Sequence, residues 1–182
     1  MSAKLLQDTG RMHVLVDDLE SFLHVLGWTT LRYVPASDGY EPEDRRGDMT
    51  TFDAYSMRKG RSKRSSGDAK SLVLGVGKYP SQRFQPRQSI PLCGLLQTLG
   101  LPFKSLYAFS PLYGMLRDDY EALKRTNPDN ERYANHIVHI YDQRMECLKS
   151  SLWFITTIED VLAKEAWPTD DKAILNLPIS SF

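Results

Sequence analysis

The sequence predicts a mainly α-helical protein, and three observations support this class. The stretch Val14–Val34 carries apolar residues at helical spacing, later segments repeat that spacing, and no segment shows a convincing strand pattern. The chain has 182 residues, which is long enough for one domain with a hydrophobic core. The predicted helices cover residues 15–33, 92–99, 112–125 and 147–163.

The longest predicted helix, Leu15–Tyr33, is apolar around most of its circumference and is therefore expected to be central and largely buried. Its acids cluster at its start, where carboxylates stabilise the helix dipole. Pro35 ends it, because the residue before a proline disfavours helical geometry. Apolar residues from several helices form the predicted core: Leu19, Phe22, Leu23, Leu26, Leu95, Leu152 and Ile155.

Residues 36–68 are predicted to form a mobile charged insertion. Acids precede bases there and glycines are interspersed, so the segment cannot bury enough apolar area to offset its ordering entropy. A brief helix at Met49–Tyr55 is the exception. The basic run Arg58–Arg64 is interpreted as a solvated loop, with a nuclear-import or nucleic-acid patch as the alternative. Because no aromatic residue interrupts the run, base stacking is not supported and no nucleic-acid partner is expected.

Two further motifs are weighed against simpler interpretations. The segment Gly75-Val76-Gly77-Lys78 lacks the first glycine and the hydroxyl of a phosphate loop, and it is interpreted as a turn after a short helix. His136 and His139 are spaced to share a metal, but no cysteine or third histidine accompanies them, so they are interpreted as surface residues. We expect no metal and no cofactor.

Composition places the chain inside the cell, in the cytoplasm or the nucleus. The formal net charge is +0, so no overall field draws the protein to nucleic acid or to a membrane. Cys93 and Cys147 have no disulfide-framework spacing, which suits a reducing compartment. No signal peptide and no membrane-spanning helix are predicted.

One motif carries a resemblance to a known family. Asp17–Ser21, followed by Phe22–Leu26, resembles the central helix in the C-terminal lobe of protein kinases. Together with Met1-Ser2 and Trp167–Ala173, it resembles the fungal-type protein kinase family. The resemblance implies a partial kinase-like C-terminal lobe built around one long central helix. Its implied divisions are the end of the activation segment and the central helix (1–35), the insertion (36–68), the remaining helices (69–175) and an irregular tail (176–182).

The same resemblance implies a serine/threonine kinase lineage, yet the chain lacks the glycine loop, the strand lysine and the catalytic and metal-binding acids. In kinases these parts precede the activation segment, so we expect a truncated lobe that is inactive by itself. Asp18 matches the acid that holds the catalytic-loop backbone, and a simple helix-capping acid is the alternative. The function is predicted to be that of a kinase-lobe fragment or relic, or of a non-enzymatic protein-binding module derived from such a lobe.

A partner is implied as well. Without the catalytic loop, one apolar side of the central helix is expected to be uncovered, so a protein partner covers it or the chain self-associates. A helical nucleic-acid binder is the third alternative, and it rests only on Arg58–Arg64.

Overall fold

The chain is mainly α-helical, as the sequence predicts. The computed structural model describes residues 2–8, 10–53, 66–86, 91–126 and 131–167. Within these ranges there is no β-strand, and one isolated bridge pairs Ala36 with Pro86. The helices of the described residues are α1 (Ala3–Gln7), α2 (Leu15–Tyr33), α3 (Pro42–Asp53), α4 (Ser66–Val76), α5 (Pro91–Ala108), α6 (Ser110–Thr126), α7 (Glu131–Ala134), α8 (Ile137–Glu146) and α9 (Leu152–Lys164).

The helix that is packed on most sides is α5 rather than α2. It contacts α2, α4, α6, α8 and α9, and its side chains Leu96, Leu99 and Phe103 are fully buried. The Phe103 ring meets Phe154 of α9 edge to face, with 6.1 Å between the ring centroids. The prediction that α2 is the largely buried centre is therefore wrong. Among the described helices α2 packs mainly against α1, α3 and α5.

The core predictions divide by helix face. Leu19, Leu23 and Leu95 are buried as predicted, and Leu26 is partly buried against the same cluster. The prediction that Phe22 is buried is wrong, because Phe22 is 45% exposed. It lies on the side of α2 away from the buried stripe, and apolar residues occupy both sides of this helix.

The predicted core positions on α9 are also wrong. Leu152 is 64% exposed and Ile155 is 48% exposed, whereas Phe154 is buried and Ile158 and Val161 pack against the core. Both sets have helical spacing, so periodicity alone offers two apolar stripes. Contact with α5 selects the stripe that contains Phe154.

The predicted helix boundaries differ most from the structure in α5 and α9. The predicted helix 92–99 continues to Ala108, with Gly100 and Pro102 inside it. A proline inside a helix costs about 3 kcal/mol. Burial of Leu99 and Phe103 on either side of this point offsets that cost. The helix predicted over 147–163 begins only at Leu152, since residues 147–151 connect α8 with α9.

The prediction of a mobile insertion is wrong for residues 42–48, which begin α3, and for the start of α4. The brief helix predicted at Met49–Tyr55 is confirmed as far as Asp53, the end of α3, and its last two residues lie outside the described residues. Arg45 is buried and donates to the carbonyl oxygens of Leu31 and Val34 at the end of α2. Because helix ends leave such carbonyls without partners, a charge that looked solvent-bound caps the preceding helix. The basic run 58–64 and the tail 176–182 lie outside the described residues.

Candidate functional site

The acid that anchors the start of α2 is Asp17, which is buried. Its Oδ1 accepts from Ser2 Oγ at 2.7 Å, and its Oδ2 accepts from the backbone N–H of Val14 at 3.0 Å. Asp18, the residue that the resemblance assigned as an anchor, is 64% exposed and lies 3.3 Å from His13 Nε2. The structure therefore assigns the anchoring role within this chain to Asp17 and leaves the Asp18 carboxylate facing solvent.

A second buried carboxylate, Glu20, connects three helices. Its Oε1 accepts from the backbone N–H of Ala3 in α1 at 2.6 Å. Its Oε2 accepts from the Tyr107 hydroxyl in α5 at 2.6 Å. Oε1 also lies 3.2 Å from Nε2 of His24, one turn further along α2. Charge-assisted bonds of this kind are stronger than neutral ones, so Glu20 fixes α1 and α5 against α2.

His24 completes this network on the other side of its ring. Nδ1 lies 3.0 Å from the Tyr79 hydroxyl, which also donates to the carbonyl oxygen of Leu23 at 2.9 Å. Burial lowers the pKa of His24, although hydrogen bonding to Glu20 acts in the opposite direction. A neutral ring fits these contacts when Nε2 donates to Glu20, and the single hydroxyl proton of Tyr79 is then shared between Nδ1 and the carbonyl oxygen of Leu23. The side chains of Glu20 and His24 are 1% and 5% exposed, so the pair is not accessible to a substrate.

The outer side of α2 is an open face formed by Leu15, Asp18, Phe22 and Val25. These positions are spaced i, i+3, i+7 and i+10, so they lie on one side of the helix. Leu15, Phe22 and Val25 are 40%, 45% and 61% exposed. Surface residues of this size normally occur singly. An apolar stripe of three residues with one carboxylate among them is the first candidate surface.

The second candidate is a cavity of about 570 Å³ between α1, α4 and α5. The Lys4 ammonium lies 5.7 Å from the centroid of the Tyr107 ring. Across the cavity, Gln7 Nε2 donates to Asp68 Oδ1 at 2.8 Å. The residues that line it come from all three helices: Lys4, Gln7, Asp68, Ser71, Leu72, Gly75, Val76, Tyr107 and Ala108.

Sequence reasoning missed this cavity and most of the buried network. The i, i+4 spacing of Glu20 and His24 was a usable signal, because residues four apart meet on a helix. No signal linked them to Tyr79 or Tyr107, which lie 55 and 87 residues away in sequence. The same holds for the cavity, since its walls come from three separate helices.

The weaker motifs have structural roles. Gly77 follows α4 with a φ of 78°, which glycine adopts without strain. The predicted turn therefore begins at Gly77, and Gly75 and Val76 are the last residues of α4. His136 accepts from the backbone N–H of Val138 at the start of α8. His139 Nδ1 lies 3.1 Å from the Tyr120 hydroxyl. No group of three His, Cys, Asp or Glu residues suited to a metal ion occurs among the described residues.

The two cysteines are separate free thiols. Burial raises the pKa of Cys93 to about 11, and burial also raises the pKa of Cys147. A thiol with a raised pKa is a poor nucleophile at neutral pH. Neither cysteine is therefore a candidate nucleophile.

Comparison with known proteins gives no assignment. No family model matches the chain, and neither a curated protein nor a solved structure matches it. Within the part of the chain that the structure describes, no helix is both long enough and apolar enough to cross a bilayer.

Proposed function

We propose that this chain is a non-catalytic polypeptide-binding module of the kinase C-terminal-lobe type, and that the open face of α2 is its binding surface. The observation that carries the proposal is the exposure of Leu15, Phe22 and Val25 on one side of an otherwise well-packed helix. Burying apolar area yields about 25 cal/mol per Å², so covering this stripe favours association.

The partner has a defined chemistry. It presents apolar side chains to Phe22 and Val25, and it brings backbone N–H groups or a basic side chain to Asp18. Backbone N–H groups suit the Asp18 carboxylate, which lies in the first turn of α2. The N-terminus of α2 is capped by Asp17, so the carboxylate of Asp18 is not used for that purpose. In the kinases that the motif resembles, the matching acid holds a backbone in this way.

The absence of catalysis rests on the sequence. Phosphoryl transfer needs a lysine and metal-binding acids to offset the charge that develops on the phosphate. The sequence contains neither the glycine loop nor the His-Arg-Asp and Asp-Phe-Gly motifs that supply these groups. The carboxylates that α2 does bury, Asp17 and Glu20, are hydrogen-bonded to α1 and α5.

A peptide selection tests the binding surface. Peptides selected from a random library on the wild-type chain should be rich in apolar residues and should lose about 10-fold or more in affinity for Val25→Ser or Phe22→Ser. Leu162→Ser is the matched control, because Leu162 is 56% exposed on α9 and lies outside the open face. If the selected peptides bind Val25→Ser as tightly as the wild type, the open face of α2 is not the binding surface.

A phosphotransfer assay tests the second part of the proposal. Purified chain, supplied with ATP, Mg²⁺ and a general substrate such as casein, should transfer no phosphate above the Asp18→Ala variant. Asp18 is exposed, so the variant should fold normally and serve as a control for contaminating kinases. Transfer by the wild type above that variant would show that the chain is an enzyme.

A further inference from the structure

The cavity between α1, α4 and α5 holds one cation for which a bound anion would be favourable. Lys4 is half-buried at its wall. Among the described residues no carboxylate oxygen lies within ion-pair distance of its ammonium, and its contact is with the Tyr107 ring, 5.7 Å away at the centroid. Burial, and secondarily Arg11, lower the pKa of Lys4, although the carboxylates of Glu20 and Asp17 act in the opposite direction. An ammonium that has lost water in this way gains from an incoming negative group.

The position of this lysine is well defined. The Tyr107 hydroxyl donates to Glu20 at 2.6 Å, and Glu20 in turn accepts from the backbone of Ala3, the residue before Lys4. The ring and the backbone that precedes Lys4 are therefore held by the same buried carboxylate. A lysine that extends from a fixed stretch of backbone loses less freedom on binding than one on a mobile loop.

The other walls of the cavity determine which further groups a ligand can carry. Leu72, Val76 and Ala108 provide an apolar side, and Leu72 is 55% exposed. The Ser71 hydroxyl donates to the backbone carbonyl oxygen of Asp68, and its lone pairs offer an acceptor for a ligand N–H group. The volume of about 570 Å³ lies within the roughly 300–1,000 Å³ typical of small-molecule sites.

We propose that this cavity binds a monocarboxylate with an aliphatic body, with its carboxylate on Lys4 and its body against Leu72 and Val76. The ammonium of Lys4 pairs with one carboxylate, and the negative charge of Asp68 on the opposite wall disfavours the second charge of a dianion such as phosphate. The source is either a free carboxylic acid or the C-terminus of a peptide, since both present this group. The cavity shares no residue with the open face of α2, so this proposal stands independently of the proposed function.

A titration followed by NMR distinguishes the sources. The ¹⁵N-labelled chain is titrated with N-acetyl-leucine in one arm and with an acetylated tetrapeptide ending in leucine in the other. Saturable shifts are expected at the amides of Gly75, Val76 and Ala108 in at least one arm. The arm with the tighter binding identifies the source. The corresponding C-terminal amides should bind about 10-fold more weakly or worse, because they lack the charge.

Variants assign the residues. Lys4→Met keeps the aliphatic stem and should weaken the affinity for the acid by about 10-fold or more. Lys149→Met, on the loop between α8 and α9, is the control and should leave this affinity unchanged. Leu72→Glu, at an exposed position of α4, places a negative charge in the cavity and should weaken binding even if Lys4→Met fails to fold. Absence of saturable shifts in both arms, equal binding of acid and amide, or full binding by a folded Lys4→Met would each overturn the proposal.

Discussion

At the scale of single residues, the buried network makes stability depend on one histidine. Burial lowers the pKa of His24 below its usual 6.5, so the folded chain resists a proton that the unfolded chain accepts. Above about pH 6.5 both states hold a neutral ring and the full stability is present. As the pH falls below that value, the unfolded state gains the proton first and stability is lost towards the lower folded pKa.

This gives the first residue-scale prediction. Denaturant unfolding at pH 7.5 and at pH 5.5 should show a lower free energy of unfolding at the acidic value. His24→Gln should reduce the difference, although Gln costs about 1–3 kcal/mol at pH 7.5 through imperfect contacts with Glu20 and Tyr79. His13→Gln is the matched control, because His13 is exposed beside Asp18. An equal pH dependence in wild type and His24→Gln would exclude His24 as its source.

At the scale of elements, two glycines in helices should respond in opposite ways to the same change. Gly27 in α2 lies against Tyr79, and a Cβ there would come within 2.6 Å of the tyrosine hydroxyl. Gly94 in α5 has nothing within 4 Å of the position of a Cβ. Gly27→Ala should therefore destabilise by about 1–3 kcal/mol through overpacking. Gly94→Ala should stabilise by roughly 0.5–1 kcal/mol, because alanine favours a helix.

Thermal and denaturant unfolding of the two variants measures the difference directly. A Gly27→Ala chain as stable as Gly94→Ala would mean that α2 and Tyr79 are not packed as described. Because both changes add one methyl group to a helix, each variant serves as the control for the other.

The elements also show how far the sequence alone could reach. The bounds of α2 follow from a run of periodic apolar residues before Pro35. By contrast, α5 passes through Gly100 and Pro102 because of burial that no local pattern reveals. Only the end of α3 is predicted, as part of the brief helix at Met49–Tyr55, because the composition of its first turns is charged. The role of Arg45 as a cap for α2 depends on tertiary contact. In the same way, spacing identified apolar stripes on α2 and α9 but gave no rule for which one faces the core.

At the scale of the whole molecule, the open face predicts association. The wild-type chain should bind a hydrophobic dye and self-associate at high concentration, because Phe22 and Val25 remain in water. Phe22→Ser should reduce both signals while changing the free energy of unfolding by about 0.5 kcal/mol or less, as exposed positions generally do. Analytical ultracentrifugation and dye fluorescence measure these effects, with Leu162→Ser as the control.

The contrary outcome is equally clear. A clean monomer that binds no dye and melts sharply above about 60 °C, near the upper end of the range for mesophilic domains, would mean that the chain needs no partner on α2. Loss of association in Leu162→Ser but not in Phe22→Ser would move the self-association surface to α9.

The short helix α1 has a consequence for the order of folding. Five residues are too few for a stable isolated helix, and the bond from Gln7 to Asp68 closes a loop across 61 residues. The entropy of closing that loop must be met before α1 gains its contacts with α4. We therefore expect α1 to complete its docking against α4 only after α2, α4 and α5 have assembled, although its bonds to Asp17 and Glu20 span only 15 and 17 residues. The cavity beside Lys4 then exists only once that last step is complete, so a ligand held there would slow the first step of unfolding.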